Sequence, residues 1–378
     1  MHPAILLASF LIVGTFSSLI FKGQSKCVVE GSAYNHPFMQ SMTMYIGEAL
    51  CMFLYIAYIT KYRERYQKKL EDAEKNGKQT KINPLLLIIP TSCDFITSTL
   101  SFFALEFMPT SLYSMVRGGG LIFTTIFSVV FLKRKIYRHH YLGLLIVMIG
   151  ITTAGVVVTL KSSSGGDQSK IILGIILLVC SFITFSSQII IEEKFFHQYE
   201  LNPFQTVGIE GCWGILICGI FVAIFNYVPC PSSIADDCPP NKNLEDVSFF
   251  FKQVFTMEGN QPALLLLILF GIILILFFNA ISLAITKYVS SLARNVAQVC
   301  SPFFVWMGSL ILRWESFLYG QLIGYLILAF GTLIFYEIIV IPIWGFNQNT
   351  KKAIEKRKET EVLLSANSSS QDEISNGA

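Results

Sequence analysis

The chain has 378 residues, 53% of them hydrophobic and 14% charged, with a mean hydropathy of +0.58. No soluble domain of this size has that composition. A net charge of +3, with no basic surface interleaved with aromatic residues, leaves no nucleic-acid footprint.

Ten apolar stretches follow in chain order, each long enough to cross a hydrocarbon core of ~30 Å as a helix. They are Pro3–Phe21, Pro37–Thr60, Pro84–Leu105, Thr110–Leu132, Tyr141–Leu160, Ile171–Ile191, Pro203–Tyr227, Ala263–Ile285, Ser290–Leu312 and Leu318–Ile341. Proline opens four of them, at Pro3, Pro37, Pro84 and Pro203, where its missing N–H costs nothing. Pro90 and Pro302 fall within spans and are expected to kink them. The first span lacks a basic leader segment and a small-residue cleavage site before Lys22, so a retained helix is expected rather than a signal peptide. Between the second and third spans, Lys61–Lys81 is charged with mixed sign and contains the i,i+4 pair Glu64 and Lys68. That pattern predicts a helical extension in solvent, either a plain solvated loop or a docking surface.

Loops after even-numbered spans, together with the tail, hold 19 of the 28 Lys and Arg, and loops after odd-numbered spans hold 7. Arg117 and Arg294 are the other 2. The positive-inside rule then places both termini in the cytosol. The sequence also repeats at an offset near 180 residues. Thr110-Ser111-Leu112 lies over Ser290-Ser291-Leu292, Leu132-Lys133 over Leu312-Arg313, and Gly143 and Gly150 over Gly324 and Gly331. A repeat of five spans is odd, so the second half must be inverted. Such halves enclose a substrate site near the midplane and allow alternating access. The expected fold is an all-α membrane protein of ten transmembrane helices in two inverted five-helix repeats. The first repeat covers residues 1–160, with a cytosolic loop at 61–83. The second covers 171–341, with a luminal loop at 228–262. A disordered cytosolic tail follows at 342–378.

Charge at membrane depth marks the candidate site. A guanidinium at a helix centre costs roughly 2.5–3.5 kcal/mol on insertion scales, so it should face protein or a wet cavity. Arg117, followed by Gly118, Gly119 and Gly120, lies in span four, and Arg294 lies on the equivalent face of span nine. Two arginines lining a cavity suit an anionic solute, because the planar fork bonds phosphate or carboxylate bidentately. The alternative makes them structural partners of Glu48, Asp94 or Glu210, or lets Arg294 snorkel to the interface. Those three carboxylates are in turn candidates for proton coupling. Gly118, Tyr113, Asn279, Asn295 and Gln298 complete the expected substrate-binding set, although small and polar residues also serve helix packing. His139 and His140 lie in a basic loop and read as solvated. With no spaced ligand set and no nucleophile–base set, neither a metal, a cofactor nor an enzyme is expected.

Nine cysteines are present, and Cys230 and Cys238 share the long loop after span seven. On an oxidising luminal face they are expected to form a disulfide, and in a mitochondrial membrane to stay thiols. In the tail, Glu359 precedes Leu363-Leu364 by four residues, as in adaptor-read lysosomal or endosomal sorting signals. Lipid, a small-molecule solute, a sorting adaptor and a second copy of the chain are the expected partners.

The string Tyr113-Ser114-Met115-Val116-Arg117-Gly118, with Ile122-Phe123-Thr124 and Phe127-Ser128, resembles solute carrier family 35, subfamily F, of the drug/metabolite transporter superfamily. It is similar in particular to the member also described as binding the mitochondrial adenine nucleotide translocase. Asn202-Pro203, Gly208-Ile209-Glu210-Gly211, Phe278-Asn279 and Trp314-Glu315 have counterparts there, and the likeness runs to about Leu364. The resemblance implies a nucleotide-sugar-transporter-like carrier of an endomembrane, lysosomal first, with Golgi and mitochondrion as alternatives. The Gly-Ala-Leu-Asn-Lys motif of GDP-mannose transporters is absent, so a nucleotide sugar is not the implied substrate. Two other functions stay open: a carrier of cationic or neutral solutes, and a non-transporting scaffold that binds a partner protein.

Overall fold

A computed structural model describes residues 3–24, 26–29, 32–34, 36–107, 113, 116–161, 168–230, 241, 243–255, 261–314, 317, 319–335 and 337–342. Beyond these it describes residues 345, 347, 348, 350, 353, 354, 356, 357, 359 and 360. Helices dominate: α1 (Pro3–Gln24), α2 (Pro37–Lys61), α3 (Arg63–Lys75), α4 (Ile88–Phe107), α5 (Gly120–Leu132) and α6 (Arg138–Lys161). After these come α7 (Gln168–Gln198), α8 (Pro203–Phe225), α9 (Val247–Phe255), α10 (Gln261–Tyr288), α11 (Ser291–Ile311) and α12 (Tyr319–Phe335). Short 3-10 turns at Pro84–Leu87 and Arg117–Gly119 lead into α4 and α5. The described residues also include a hairpin of two-residue strands, β1 (Val28–Val29) and β2 (Ser32–Ala33), with Val28 opposite Ala33, and isolated bridges joining Gln79 to Tyr199 and Pro229 to Asn243.

Local chemistry sets several of these boundaries. Asn202 accepts from the Phe204 N–H at 3.0 Å and Pro203 follows it, which starts α8 without an orphaned donor. Ser290 caps α11 by accepting from Ala293 N–H at 3.0 Å. α3 forms where mixed charge predicted it. α9 falls in a segment that read as loop, and its Phe250 and Val254 are buried against Tyr34, Phe38 and Leu264.

Among the described residues, six helices are long and apolar enough to cross a membrane: α1, α2, Pro84–Ser101, α7, α8 and α10. α5 and α12 are apolar but shorter. α11 has the length of a span, at 21 residues, but carries Arg294, Asn295 and Gln298. Phe53, Val130, Leu266 and Leu326 stand exposed, as lipid-facing side chains must. The chain is therefore an all-α membrane protein. α1 belongs to the bundle, with Phe10 fully buried and stacked on Phe278 at 4.8 Å.

The main packing pairs are α6 with α12, α2 with α8, α4 with α7, and α1 with α10. α5 also packs on α7 and α11, and α11 on α1. The α6–α12 crossing is held by glycine. A Cβ on Gly143 would lie 2.8 Å from Phe335 N, and one on Gly150 would lie 2.6 Å from Leu328 N, so only hydrogen fits.

Candidate functional site

α7, α8, α10 and α11 converge with α2 and α4 on a polar cluster inside the bundle. Its cation is Arg294, 5% exposed, which forms an ion pair with Glu192 of α7, 1% exposed. Gln188, one turn earlier on α7, donates to the same carboxylate at 3.0 Å, and Arg294 also reaches Thr286 of α10 at 3.4 Å. Around this pair stand three more carboxylates. Glu48 of α2 accepts from Asn279 Nδ2 of α10 at 2.5 Å. Asp94 of α4 accepts from Tyr45 Oη at 3.0 Å. Glu210 of α8 is buried, and its Oε1 has no hydrogen-bond partner. The charges of Glu48, Asp94, Glu192, Glu210 and Arg294 all act on one another. Four acids thus share one base. Arg294 Nε, Gln188 Oε1, Ser282 Oγ and Gln298 Oε1 are also buried without partners. Each such atom costs roughly 1–3 kcal/mol unless something bonds it.

Asn295 donates to Thr124 of α5, which pairs with Ser186 of α7 at 2.9 Å. That chain joins α11 to α5 beside the cluster.

At the end of the bundle where α7 meets α8 the balance reverses. Glu200, between α7 and α8, receives Lys287 at 2.6 Å, Lys69 at 3.0 Å and Lys78 at 3.2 Å. Burial raises the Glu200 carboxyl, but hydrogen bonds and charge from Lys287 and Lys69 outweigh it and hold the group at about 2. Backbone pairing reinforces this contact, with Gln79 N–H donating to Gln198 O at 3.1 Å and Glu200 N–H to Gln79 O at 2.9 Å. Glu193 accepts from Arg134 and from Ser291 N–H at 3.0 Å, so its charge faces the positive N-terminus of α11. On the opposite side, His36 and Glu245 form a buried pair at 2.5 Å under α9.

The expected site residues divide. Arg294, Asn295, Asn279, Glu48, Asp94 and Glu210 come together in or beside the cluster, and Gln298 lies one turn beyond Arg294. Arg117 does not join them. The sequence expected its guanidinium to face the interior, but it is exposed in the 3-10 turn before α5 and has no ion-pair partner among the described residues. About 22 Å of helix separates it from Leu132, which leaves ~8 Å of a ~30 Å core to the far interface, within reach of a snorkelling side chain. Gly118 belongs to the same 3-10 turn. Tyr113 packs with Ala104, Leu178 and Phe182 in an apolar cluster. His139, expected in solvent, is 4% exposed. Cys230 is disulfide-bonded, seven cysteines are free thiols, and Cys238 lies outside the described residues, as do Leu363 and Leu364. Glu359 is exposed on a helical segment of the tail. Glu192 and Glu193 went unnoticed in the sequence because span six was ended at Ile191. The signal was Gln188 four residues before Glu192, one helical turn on the same face.

A buried, over-acidic cluster among membrane helices is what a solute pathway looks like, and comparison with known proteins agrees. Residues 3–155 match the EamA-like transporter family. Solute carrier family 35 member F6 of Homo sapiens is 32% identical over 360 residues, covering 93% of this chain and 93% of that protein. The chain belongs to solute carrier family 35. The Mus musculus member F6 is 31% identical over 361 residues, covering 94% of this chain and 93% of its own. A solved crystal structure at 11% identity superposes with a TM-score of 0.59 over 89% of this chain and 96% of its own, a likeness of fold alone. The family member described here is a membrane transporter of small solutes, and its relatives are carriers, not enzymes.

Proposed function

We propose that this carrier works by alternating access between two inverted five-helix halves, α1–α6 and α7–α12, and that the acidic cluster where they meet carries a proton or a cationic group of an organic metabolite. Exchanging the halves maps α4 with α7 onto α10 with α1, α5 with α7 onto α11 with α1, and α2 with α10 onto α8 with α4. All six pairs are in contact. α6 with α12 and α2 with α8 map onto themselves. The extra helices α3 and α9 follow equivalent spans. Lys133 and Arg313, equivalent in the sequence repeat, both take left-handed backbone at φ 51 and 57. These correspondences support inverted halves.

The observation that carries the substrate reading is the count of charges: among the described residues, Glu48, Asp94, Glu192 and Glu210 surround one base, Arg294. Like charges packed together out of water cannot all stay ionised, so the cluster must bind a cation or a proton. Arg294 is consumed by Glu192, which removes it from anion binding. An anionic metabolite remains a second reading because the exposed guanidinium of Arg117 has no ion-pair partner among the described residues. Flux in proteoliposomes separates them. The first reading requires loss of transport in Glu48→Gln, Asp94→Asn or Glu210→Gln, and the second in Arg117→Ala.

The compartment proposed is an endomembrane, lysosomal first. Glu359 with Leu363-Leu364 supports it, and so does the disulfide of Cys230, for which Cys238 is the proposed partner. Replacing Leu363 and Leu364 with alanine should move the carrier to the cell surface. Unchanged lysosomal imaging, or a Cys238 thiol found free by mass spectrometry, counts against this.

A further inference from the structure

We propose that His139, His140 and Glu337 form a binding site for a divalent transition-metal ion of the zinc class, at the cytosolic end of the α6–α12 pair. One ligating atom from each lies within 4.8 Å of the other two. His139 is 4% exposed, its Nε2 is 3.0 Å from Glu337 Oε1, and its Nδ1 is buried with no hydrogen-bond partner. A buried imidazole nitrogen left without a bond is costly, and coordination to a metal supplies the missing partner.

The arrangement is built by both halves of the chain. Neighbouring residues on a helix normally diverge, yet the His139 and His140 rings lie 4.1 Å apart at the first turn of α6. Glu337 faces them from just beyond α12. It adopts φ 60, a backbone conformation that non-glycine residues seldom take. The glycine contact fixes the spacing, since Gly143 lies directly against the backbone of Phe335, and the His140 ring sits edge-on to Phe335 at 5.2 Å. A pocket opens beside the cluster, lined by Leu142, Ile339 and Thr350 together with His139 and Glu337.

Two imidazoles and one carboxylate match zinc, whose bonds to such ligands are about 2.0–2.2 Å. Tetrahedral bonds of that length set donors about 3.3–3.6 Å apart, so small side-chain rotations from separations of at most 4.8 Å would close them onto one ion. Magnesium and calcium prefer all-oxygen sets and are disfavoured here. Occupancy would staple the start of α6 to the segment just beyond α12, independently of what the central cluster transports.

The test uses the full chain in detergent, purified through a histidine-free tag. Zn2+ stoichiometry is measured by elemental analysis after equilibrium dialysis, and Co2+ is added as a visible probe. The expected result is one zinc per chain, a tetrahedral cobalt spectrum without thiolate bands, and at least tenfold weaker binding in His139→Ala, His140→Ala and Glu337→Gln. Glu337→Gln keeps a group that can still hydrogen-bond His139, so it removes a ligand with the least disturbance. If the histidine variants do not fold, that variant and the wild-type cobalt spectrum decide. Absence of bound zinc, thiolate bands in the cobalt spectrum, or undiminished affinity in Glu337→Gln would overturn the proposal.

Discussion

The acidic cluster inside the bundle and the lysine-rich rim at Glu200 are charge opposites. At the centre, Glu48, Asp94, Glu192 and Glu210 surround Arg294. At the rim, Lys69, Lys78 and Lys287 surround Glu200. One region has surplus acid around a single base, while the other sets three lysines around one acid. The rim gathers α3, the segment after it, the α7–α8 link and the end of α10 around a single carboxylate, which is how a closure holds several helices at once. The centre leaves polar atoms unsatisfied, which is how a site stays ready for a ligand.

Removing the shared cation should produce the largest effect on folding. Arg294→Gln leaves Glu192 buried and unpaired and should destabilise by about 3–5 kcal/mol, seen as lost thermal stability and yield in detergent. Adding Glu192→Gln should restore much of it. A well-folded Arg294→Gln single variant would mean that the centre does not depend on its base.

Breaking the rim should cost less. Glu200→Gln removes the acceptor of three lysines and should destabilise by roughly 1.5–3 kcal/mol, while making a cysteine placed at Asn279 more reactive to a cytosolic thiol reagent. Unchanged labelling would deny the rim its gating role. The same contact has a defined pH range. Because the folded Glu200 carboxyl is held at about 2, below its ordinary 4.5, its stabilisation is fully present above 4.5 and fades as pH falls towards 2. Thermal stability scanned from pH 7 to 5 should therefore show no loss from the rim, and below 4.5 the difference between wild type and Glu200→Gln should shrink.

The smallest effect on folding is expected at Arg117, which belongs to neither region. Arg117→Ala should change stability by no more than about 0.5 kcal/mol. A loss as large as that of Arg294→Gln would place it in a buried pair after all.

Much of this was legible in sequence. Glu48, Asp94, Glu210 and Arg294 announce themselves as charges inside apolar runs, and they do converge. Their partners were not legible, because Tyr45 with Asp94 and Asn279 with Glu48 join helices far apart in the chain. Glu192 and Glu193 were read as the end of a span, since hydropathy stops at a charged pair. Arg294, Arg134 and the N-terminus of α11 compensate those charges, and so α7 continues to Gln198. Arg117 misled for the converse reason. Depth was counted along the sequence, while exposure depends on which face its turn presents. α9 was hidden in a loop because its amphipathic pattern spans only 9 residues.

On the proposed mechanism the acidic cluster, and not Arg117, carries the transported charge. The most direct measurement is uptake of a panel of cationic, neutral and anionic metabolites into proteoliposomes, with and without an imposed pH gradient. Wild type, Glu210→Gln and Arg117→Ala would be compared. The account predicts uptake that depends on the gradient or on solute positive charge, is abolished in Glu210→Gln and survives in Arg117→Ala. Uptake of an anion that ignores Glu210→Gln and vanishes in Arg117→Ala would contradict it.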